Sequence, residues 1–385
     1  MDLLPTPEQE EIVTTVRAQL ERRFALNDLA ANDGSVQVVD RDLWRQCAEL
    51  GWFGLGLDEE LGGVGYTLVE ESLLFAELGA HATPGPFLAT VLGARLAATA
   101  GEGELAAAIL AGDVLVALAE AEDARASVGD EVSGRFRVTD HGGADVLLVA
   151  GSDPAAGLAL VDAVAASVEP SIDLLTPLGV VDLAGVTARA SVADSSELAL
   201  RATILIASQL AGIATATAAQ SVEYAKDREQ FGRPIGSFQA VKHRCADMAA
   251  RAEAATSLSR YAALAVVDGR TDGAFHAQAA WTVASEAAVT NAQVNIQNHG
   301  GIGFTWEHTA HRFLTRAQFL VRTLGDRRHH LSALLAEPAP TCPHPPPPVS
   351  DDKSRQPRYS DVMRIEGFRS GTAEPAPRAL RRVAT

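Results

Sequence analysis

Apolar residues recur at helical spacing over residues 7–24, where Ile12, Val13, Val16 and Leu20 share one face among Glu and Arg, and this predicts an amphipathic helix. Asp40 or Asp42 is placed to cap a second helix carrying Leu43, Trp44, Cys47 and Leu50 and stopped by Gly51. A glycine-rich turn, LGGVGY at 61–66, precedes a helix through Leu73, Leu74, Phe75 and Leu78 that ends at Gly79. Pro84 and Pro86 break the run, and Ala-rich helical sequence resumes over 88–111. The texture then changes. Short β-branched runs at 113–118, 134–139, 145–150, 158–164 and 186–192, separated by Gly, Pro and Asp, predict a small antiparallel sheet. DSSE at 194–197 offers a cap and a first-turn acid for a new helix. Helical patterns follow at 198–219, 238–266, 272–296 and 308–335, the first nearly all apolar and suited to the core of a bundle. Periodicity stops near the end: PAPTCPHPPPPVS (338–350) is a polyproline run, and the remainder mixes Arg, Ser, Pro and Gly.

These patterns predict a mostly α protein in four parts. They are an N-terminal helical domain (1–112), a reduced middle β domain (113–193), a C-terminal four-helix bundle (194–337) and a Pro-rich tail (338–385) expected to be disordered or loosely attached. Composition narrows the class. Apolar types make up 47% and charged types 21% of the 385 residues, a globular balance. With 32 basic against 49 acidic residues the net charge is −17, which argues against a nucleic-acid binder. Cys47, Cys245 and Cys342 are odd in number and far apart, as free thiols of a reducing compartment are. The acidic N-terminus carries no basic-then-apolar leader, and no run of about 18 uninterrupted apolar residues appears, so a cytoplasmic protein without a membrane span is expected.

Two segments carry the candidate chemistry. In EYAKDREQFGRPIGSFQAVKHRCADM (223–248) a helix ends in Arg228, Gln230 and Phe231, Gly232, Pro234 and Gly236 turn the chain, and Phe238 and Gln239 open the next helix. In QNHGGIGFTW (297–306) a glycine pair lies between two helices beside Gln297. A guanidinium with nearby amides suits a diphosphate, an aromatic ring suits an adenine face, and glycines let backbone N–H groups approach a ligand. The residue types alone fit a blander alternative: Arg228 capping its own helix and the glycines only turning the chain.

The order of these stretches resembles the acyl-CoA dehydrogenase family over roughly residues 5–336: helices, small sheet, helices, then Arg-x-x-Phe-Gly-x-Pro-Ile-Gly (228–236) and Gln-x-x-Gly-Gly-x-Gly (297–303). LDEELGGVGY (57–66) is similar to the family's Pro-Glu-x-Tyr-Gly-Gly-x-Gly turn. The resemblance implies FAD bound across a subunit interface. Arg228, Gln230, Phe231, Gln297, Gly300 and Gly301 would clasp the diphosphate and adenosine of a cofactor seated mainly on a neighbouring subunit. It also implies an acyl-CoA substrate and α,β-desaturation, in which a carboxylate removes the α-proton and the β-hydrogen leaves as hydride to the flavin.

The family places that carboxylate at one of two positions. Here the first matches Ala202 and the second Leu324, with Asp326 two residues late, so neither holds a base and the catalytic residue is unknown. The first flavin-contacting stretch is replaced by AEAEDARASVGDE (119–131), and the later strand and loop that hold the isoalloxazine end are expected to be missing between GRFRVTD and HGGADVLLV (134–149). A clasp kept beside a ring site and base lost implies the accessory subunit of a heteromer. α2β2 assemblies of this kind serve actinobacterial sterol and cholate side-chain catabolism, and their non-catalytic chains share the TPGPFL style of 83–88. Two alternatives stand beside it: a homo-oligomeric dehydrogenase with a displaced base at Glu197, Asp326 or Glu253, and a flavin-free scaffold or acyl-binding protein. Other features have bland readings: His308, His311, His329 and His330 as helix-surface histidines and not metal ligands, Lys242, His243 and Arg244 as a solvated face, Cys245 as a small hydrophobe, and Trp306 and Glu307 as structural.

Overall fold

The computed structural model describes residues 3–24, 39–338 and 340; the expected Pro-rich tail, Cys342 included, lies outside the described residues except for Pro338 and Pro340. Helices α1 (Pro7–Arg23), α2 (Arg41–Glu49), α3 (Leu68–Ala80), α4 (Phe87–Thr99) and α5 (Gly103–Leu110) form the N-terminal part. Their starts follow local chemistry. Thr6 and Gln9 close a capping box on α1, Thr67 and Glu70 close another on α3, and Asp40 rather than Asp42 caps α2 by accepting the N–H groups of Asp42 and Leu43. The helical stretch expected over 88–111 is two helices, because Gly101 takes a left-handed φ of 84° that ends α4.

Strands β1 (Val116–Ala121), β2 (Glu131–Thr139), β3 (Val146–Ala150), β4 (Leu158–Asp162), β5 (Ser167–Glu169), β6 (Leu178–Thr187) and β7 (Ala190–Val192) form a sheet in the order β5-β6-β2-β1-β3-β4-β7. Two expectations are corrected. The sheet is not wholly antiparallel, since β1 and β3 pair in parallel. The run expected at 186–192 is the end of β6 plus β7, and β6 itself begins eight residues earlier, at Leu178. β2, read in the sequence as the run at 134–139, begins three residues earlier and pairs with both β1 and β6, with an irregularity between Val132 and Gly134; residues 140–145 lead from it directly to β3. β1 and β3 are buried on both faces, with Val116, Leu118, Val146 and Leu148 facing the helices. Ala117, Ala119, Leu147 and Val149 instead meet Phe136, Val138 and Val181 of the same sheet, which explains their continuous rather than alternating apolar runs.

Helix α6 (Ser196–Asp227) is the spine of the C-terminal part, followed by a two-residue hairpin of β8 (Glu229–Gln230) and β9 (Arg233–Pro234), then α7 (Gln239–Val267), α8 (Gly273–His299), α9 (Ala310–Leu320) and α10 (Arg327–Ala336). The stretch expected as one helix over 308–335 is two, broken where Leu324 and Gly325 take φ of 54° and 124°. α6 has 32 residues and, over its most apolar window, a mean hydropathy of 1.5, so length and composition alone would let it cross a membrane. Instead α3, α7 and α8 bury 72% of that window. Its approach to α3 is at backbone distance. A Cβ on Gly212 would lie 1.9 Å from the Ala76 carbonyl oxygen, and one on Gly79 would lie 1.9 Å from that of Gln209. Nothing larger than glycine fits at either point.

Gly212→Ala should therefore force α3 and α6 apart and cost about 3 kcal/mol in a urea unfolding titration, at the upper end of ordinary overpacking. A cost under about 0.5 kcal/mol, the level of neutral surface changes, would show that the two helices do not touch in this way.

Candidate functional site

Helices α6 and α8 run in the same direction, with α7 antiparallel between them in sequence, so the C-termini of α6 and α8 and the N-terminus of α7 share one end of the bundle. Buried polar side chains tie this end together. Asn291 on α8 donates to the carbonyl oxygens of Ala214 on α6 (3.1 Å) and Met248 on α7 (2.9 Å). One turn on, the Asn295 amide donates to Gln220 (2.9 Å) and its carbonyl oxygen accepts from Ser221 (2.8 Å). The rings of Tyr224 and His299, the latter the last residue of α8, lie 4.2 Å apart. Both motif segments predicted from sequence begin within a turn of that contact.

Arg228 caps α6 through its backbone while its side chain is exposed and makes no ion pair among the described residues. The blander alternative is met to the extent that Arg228 is the C-cap of α6, but its guanidinium takes no part in the cap. Phe231 sits at the hairpin tip with φ of 54°, a strained value for a residue with a Cβ, and its ring is 91% exposed. Phe238 supports the tip from below: its ring meets Phe231 edge-on at 6.1 Å and carries the Arg233 guanidinium at 4.2 Å. Gly236 is required because a Cβ there would lie 2.8 Å from the Ala225 carbonyl oxygen. Gln230, Gln297, Gly300 and Gly301 are all exposed, Gly300 has φ of 64°, and space around both glycines is open. Lys242, His243 and Arg244 line the exposed first turn of α7, which has no side-chain cap. The arrangement offers an exposed guanidinium, two amides, an aromatic face and an exposed glycine pair on one end of the bundle. These residues fit the diphosphate and adenosine of a dinucleotide.

The junction between sheet and bundle is of the opposite kind. Arg316 on α9 is buried, with Nε 2.5 Å from Asp173 Oδ2 and an N–H donated to the Thr83 carbonyl oxygen at 3.0 Å. Asp140, at the end of β2 with φ of 55°, faces this pair, and burial pushes its carboxyl up to about 7 against the pull of Arg316. The cavity that Asp140 and Arg316 line with Leu118, Gln209 and Thr323 is only about 50 Å³, too small for a three-ring isoalloxazine. These residues do not fit a flavin ring.

The candidate base positions are closed as well. Ala202 is buried on α6, beside the buried Arg201–Glu71 ion pair, and Leu324 is buried in the α9–α10 turn. The displaced acids are exposed: Glu197 in the first turn of α6, Asp326 as the N-cap of α10 with the His329 N–H at 2.9 Å, and Glu253 accepting from Ser257. Sequence reasoning passed over Glu120. It is buried on β1, accepts the Leu324 N–H at 2.7 Å, and burial raises its carboxyl against the attraction of Arg137. Only the apolar strand around it could have signalled this. Trp306, read as structural, is 64% exposed, while His308 and His311, read as surface histidines, are half-buried against His299 and Trp306.

Comparison with known proteins agrees with this geometry. The model of the acyl-CoA dehydrogenase N-terminal domain matches residues 6–112, and that of the C-terminal domain matches 198–333. The acyl-CoA dehydrogenase IpdE2 of Mycolicibacterium smegmatis is 32% identical over 86% of this chain and 98% of its own. FadE34 of Mycobacterium tuberculosis is 33% identical over 77% of this chain but only 42% of its own length. Among solved structures, a Tcur3481–Tcur3483 steroid acyl-CoA dehydrogenase has a TM-score of 0.71 at 28% identity, covering 85% of this chain and 96% of that one. The ChsE4–ChsE5 complex of Mycobacterium tuberculosis has a TM-score of 0.71 at 25% identity, covering 88% and 100%.

The junction is open to a direct check. Because burial raises the Asp140 carboxyl above its unfolded value, its contribution to stability is present in acid and is lost as pH rises through about 7. Asp140→Asn should gain in urea midpoint relative to the parent between about pH 5 and about pH 8, and a constant difference would mean Asp140 is solvated.

Proposed function

The chain belongs to the acyl-CoA dehydrogenase family, and within it we propose that it is the accessory subunit of an FAD-linked heteromer acting on an acyl-CoA of the steroid-side-chain type. One observation carries the proposal. Among the described residues the side chains of Arg228, Gln230 and Gln297 are exposed and make no ion pair or hydrogen bond, whereas Ala202 and Leu324 at the base positions are buried and the cavity at the sheet junction is only about 50 Å³. A clasp turned outward serves a nucleotide held on another subunit. The steroid enzyme and the two-component ChsE4–ChsE5 complex among the structural relatives support both the substrate class and the heteromer. FadE34 supports it too, since the part resembling this chain occupies less than half of that longer polypeptide.

When bound, the flavin accepts the two electrons of α,β-desaturation. This chain's own residues bind and orient. Arg228 neutralises diphosphate charge, Gln230 and Gln297 supply amide donors, and the glycine turn presents backbone N–H groups. Phe231, held outward by its strained backbone and by Phe238, covers the adenine. The proton-abstracting carboxylate is then supplied by the partner. A second reading, a self-sufficient homo-oligomer, is favoured by Glu120, the buried carboxylate at the Leu324 turn.

Co-expressed with its partner, Arg228→Ala should lose flavin affinity by roughly 10–100-fold, the worth of one charge-assisted contact, with its unfolding midpoint unchanged. Unchanged flavin content would remove the clasp assignment. Purified alone, the chain should lack flavin absorbance and turn over no acyl-CoA with an artificial acceptor; turnover that disappears in Glu120→Gln would establish the second reading instead.

A further inference from the structure

The two halves of the clasp lie on separate segments, and what joins them at the solvent end is a column of three rings. Tyr224 of α6 lies 4.2 Å from His299 of α8, and His299 lies 4.2 Å from His308, at the close of the glycine turn. Each imidazole has a defined tautomer. His299 Nδ1 is 2.8 Å from the Asn295 carbonyl oxygen, which only accepts, so Nδ1 carries the proton. His308 Nδ1 accepts the Ala310 N–H at 3.1 Å at the start of α9, so its proton is on Nε2. A second proton on His308 would point an N–H at an N–H and uncap α9. It would also set two cations face to face.

We infer that the Tyr224–His299–His308 column positions the clasp, joining its halves only while both imidazoles are neutral, so that mild acid frees the 300–308 turn and weakens nucleotide binding. The last clause rests on the clasp reading above; the column itself does not.

The surroundings offer no compensation. The groups around the pair are Tyr224 from α6, Cys245 from α7 through its contact with Asn298, His311 and Arg312 from α9, and exposed Glu307 within the turn. Burial holds His299, His308 and His311 all below the usual imidazole range; neighbouring histidines lower His308 further, and Arg312 lowers His311. The sign follows from those directions. A histidine whose folded value is depressed contributes stability above the ordinary value of about 6.5 and loses it as pH falls below that. The turn that would be freed carries Gly300, Gly301, Phe304 and Trp306, the last two largely exposed.

The full chain labelled with 5-fluorotryptophan provides the test. Trp44, Trp52 and Trp281 are at most 3% exposed, so the Trp306 resonance, assigned with Trp306→Phe, reports on the turn. It should shift between about pH 7.5 and about pH 5.5 with a midpoint below the ordinary imidazole value. His308→Asn keeps an acceptor for the Ala310 N–H but cannot become charged, and His299→Phe keeps a ring in the column without its charge. The first should flatten the curve and the second should make it shallower and move it to lower pH. A shift that persists unaltered in both variants belongs to His311, beside the Trp306 ring, and overturns the proposal, as does a resonance that does not move. In the complex with partner and FAD, flavin retention should fall about tenfold over the same pH range, and the loss should be absent in His308→Asn. A turn that opens while flavin stays bound would keep the column as a pH-sensitive element and remove the clasp reading.

Discussion

Helix α6 occupies the centre of this molecule only because its backbone touches that of α3. Gly79 and Gly212 remove the two side chains that would hold the helices apart, and carbonyl oxygens fill the space where Cβ atoms would be. Close contact of this kind gains dispersion energy along the seam and leaves α6 little freedom to tilt or slide. Everything attached to α6 inherits that rigidity. Its C-terminus carries Arg228 and the hairpin; its N-terminal half carries Ala202 and the Arg201–Glu71 pair. One helix thus fixes both the outward-facing grip and the closed base position.

The two ends of the C-terminal part treat charge in opposite ways. At the sheet junction, Arg316 and Asp173 are buried together and Asp140 is pushed toward its neutral form, and no room remains for a large ligand. At the clasp end, Arg228, Lys242 and Arg244 are exposed on a protein of net charge −17. Among the described residues none of the three is in an ion pair. A cation already held by a carboxylate would have to be released before it met a diphosphate, whereas these are free to do so.

Much of the fold was legible in the sequence because its main signals are local. Helical periodicity, the Asp40/Asp42 pair and the glycine stops located the N-terminal helices, and the Arg228 and Gln297 motifs marked the two segments that meet at one end of the bundle. Several features were not legible. The start of β2 was missed because its irregularity at Gly134 breaks the alternation on which strands are recognised, and most of β6 because Pro177 and the glycines around it mimic a loop. The breaks at Gly101 and Leu324 inside helical patterns were passed over because apolar spacing continues through them. Glu120 was overlooked because nothing local distinguishes a carboxylate that is buried by the partner strands of a sheet from one on an edge.

The sequence by itself determined which residues are on offer: the spacing of Arg228, Phe231, Gln297 and the glycine pair, and the absence of an acid at positions 202 and 324, are properties of the order of residues. Only the tertiary structure decided how those residues stand to one another. That the side chains of Arg228, Gln230 and Gln297 are exposed, that Arg316 is buried at the junction, and that His299 and His308 lie in one column with Tyr224 all depend on contacts between segments far apart in the chain. Such contacts are set by how closely α3, α6 and α8 pack, and close packing is a three-dimensional sum over many side chains that no local pattern encodes.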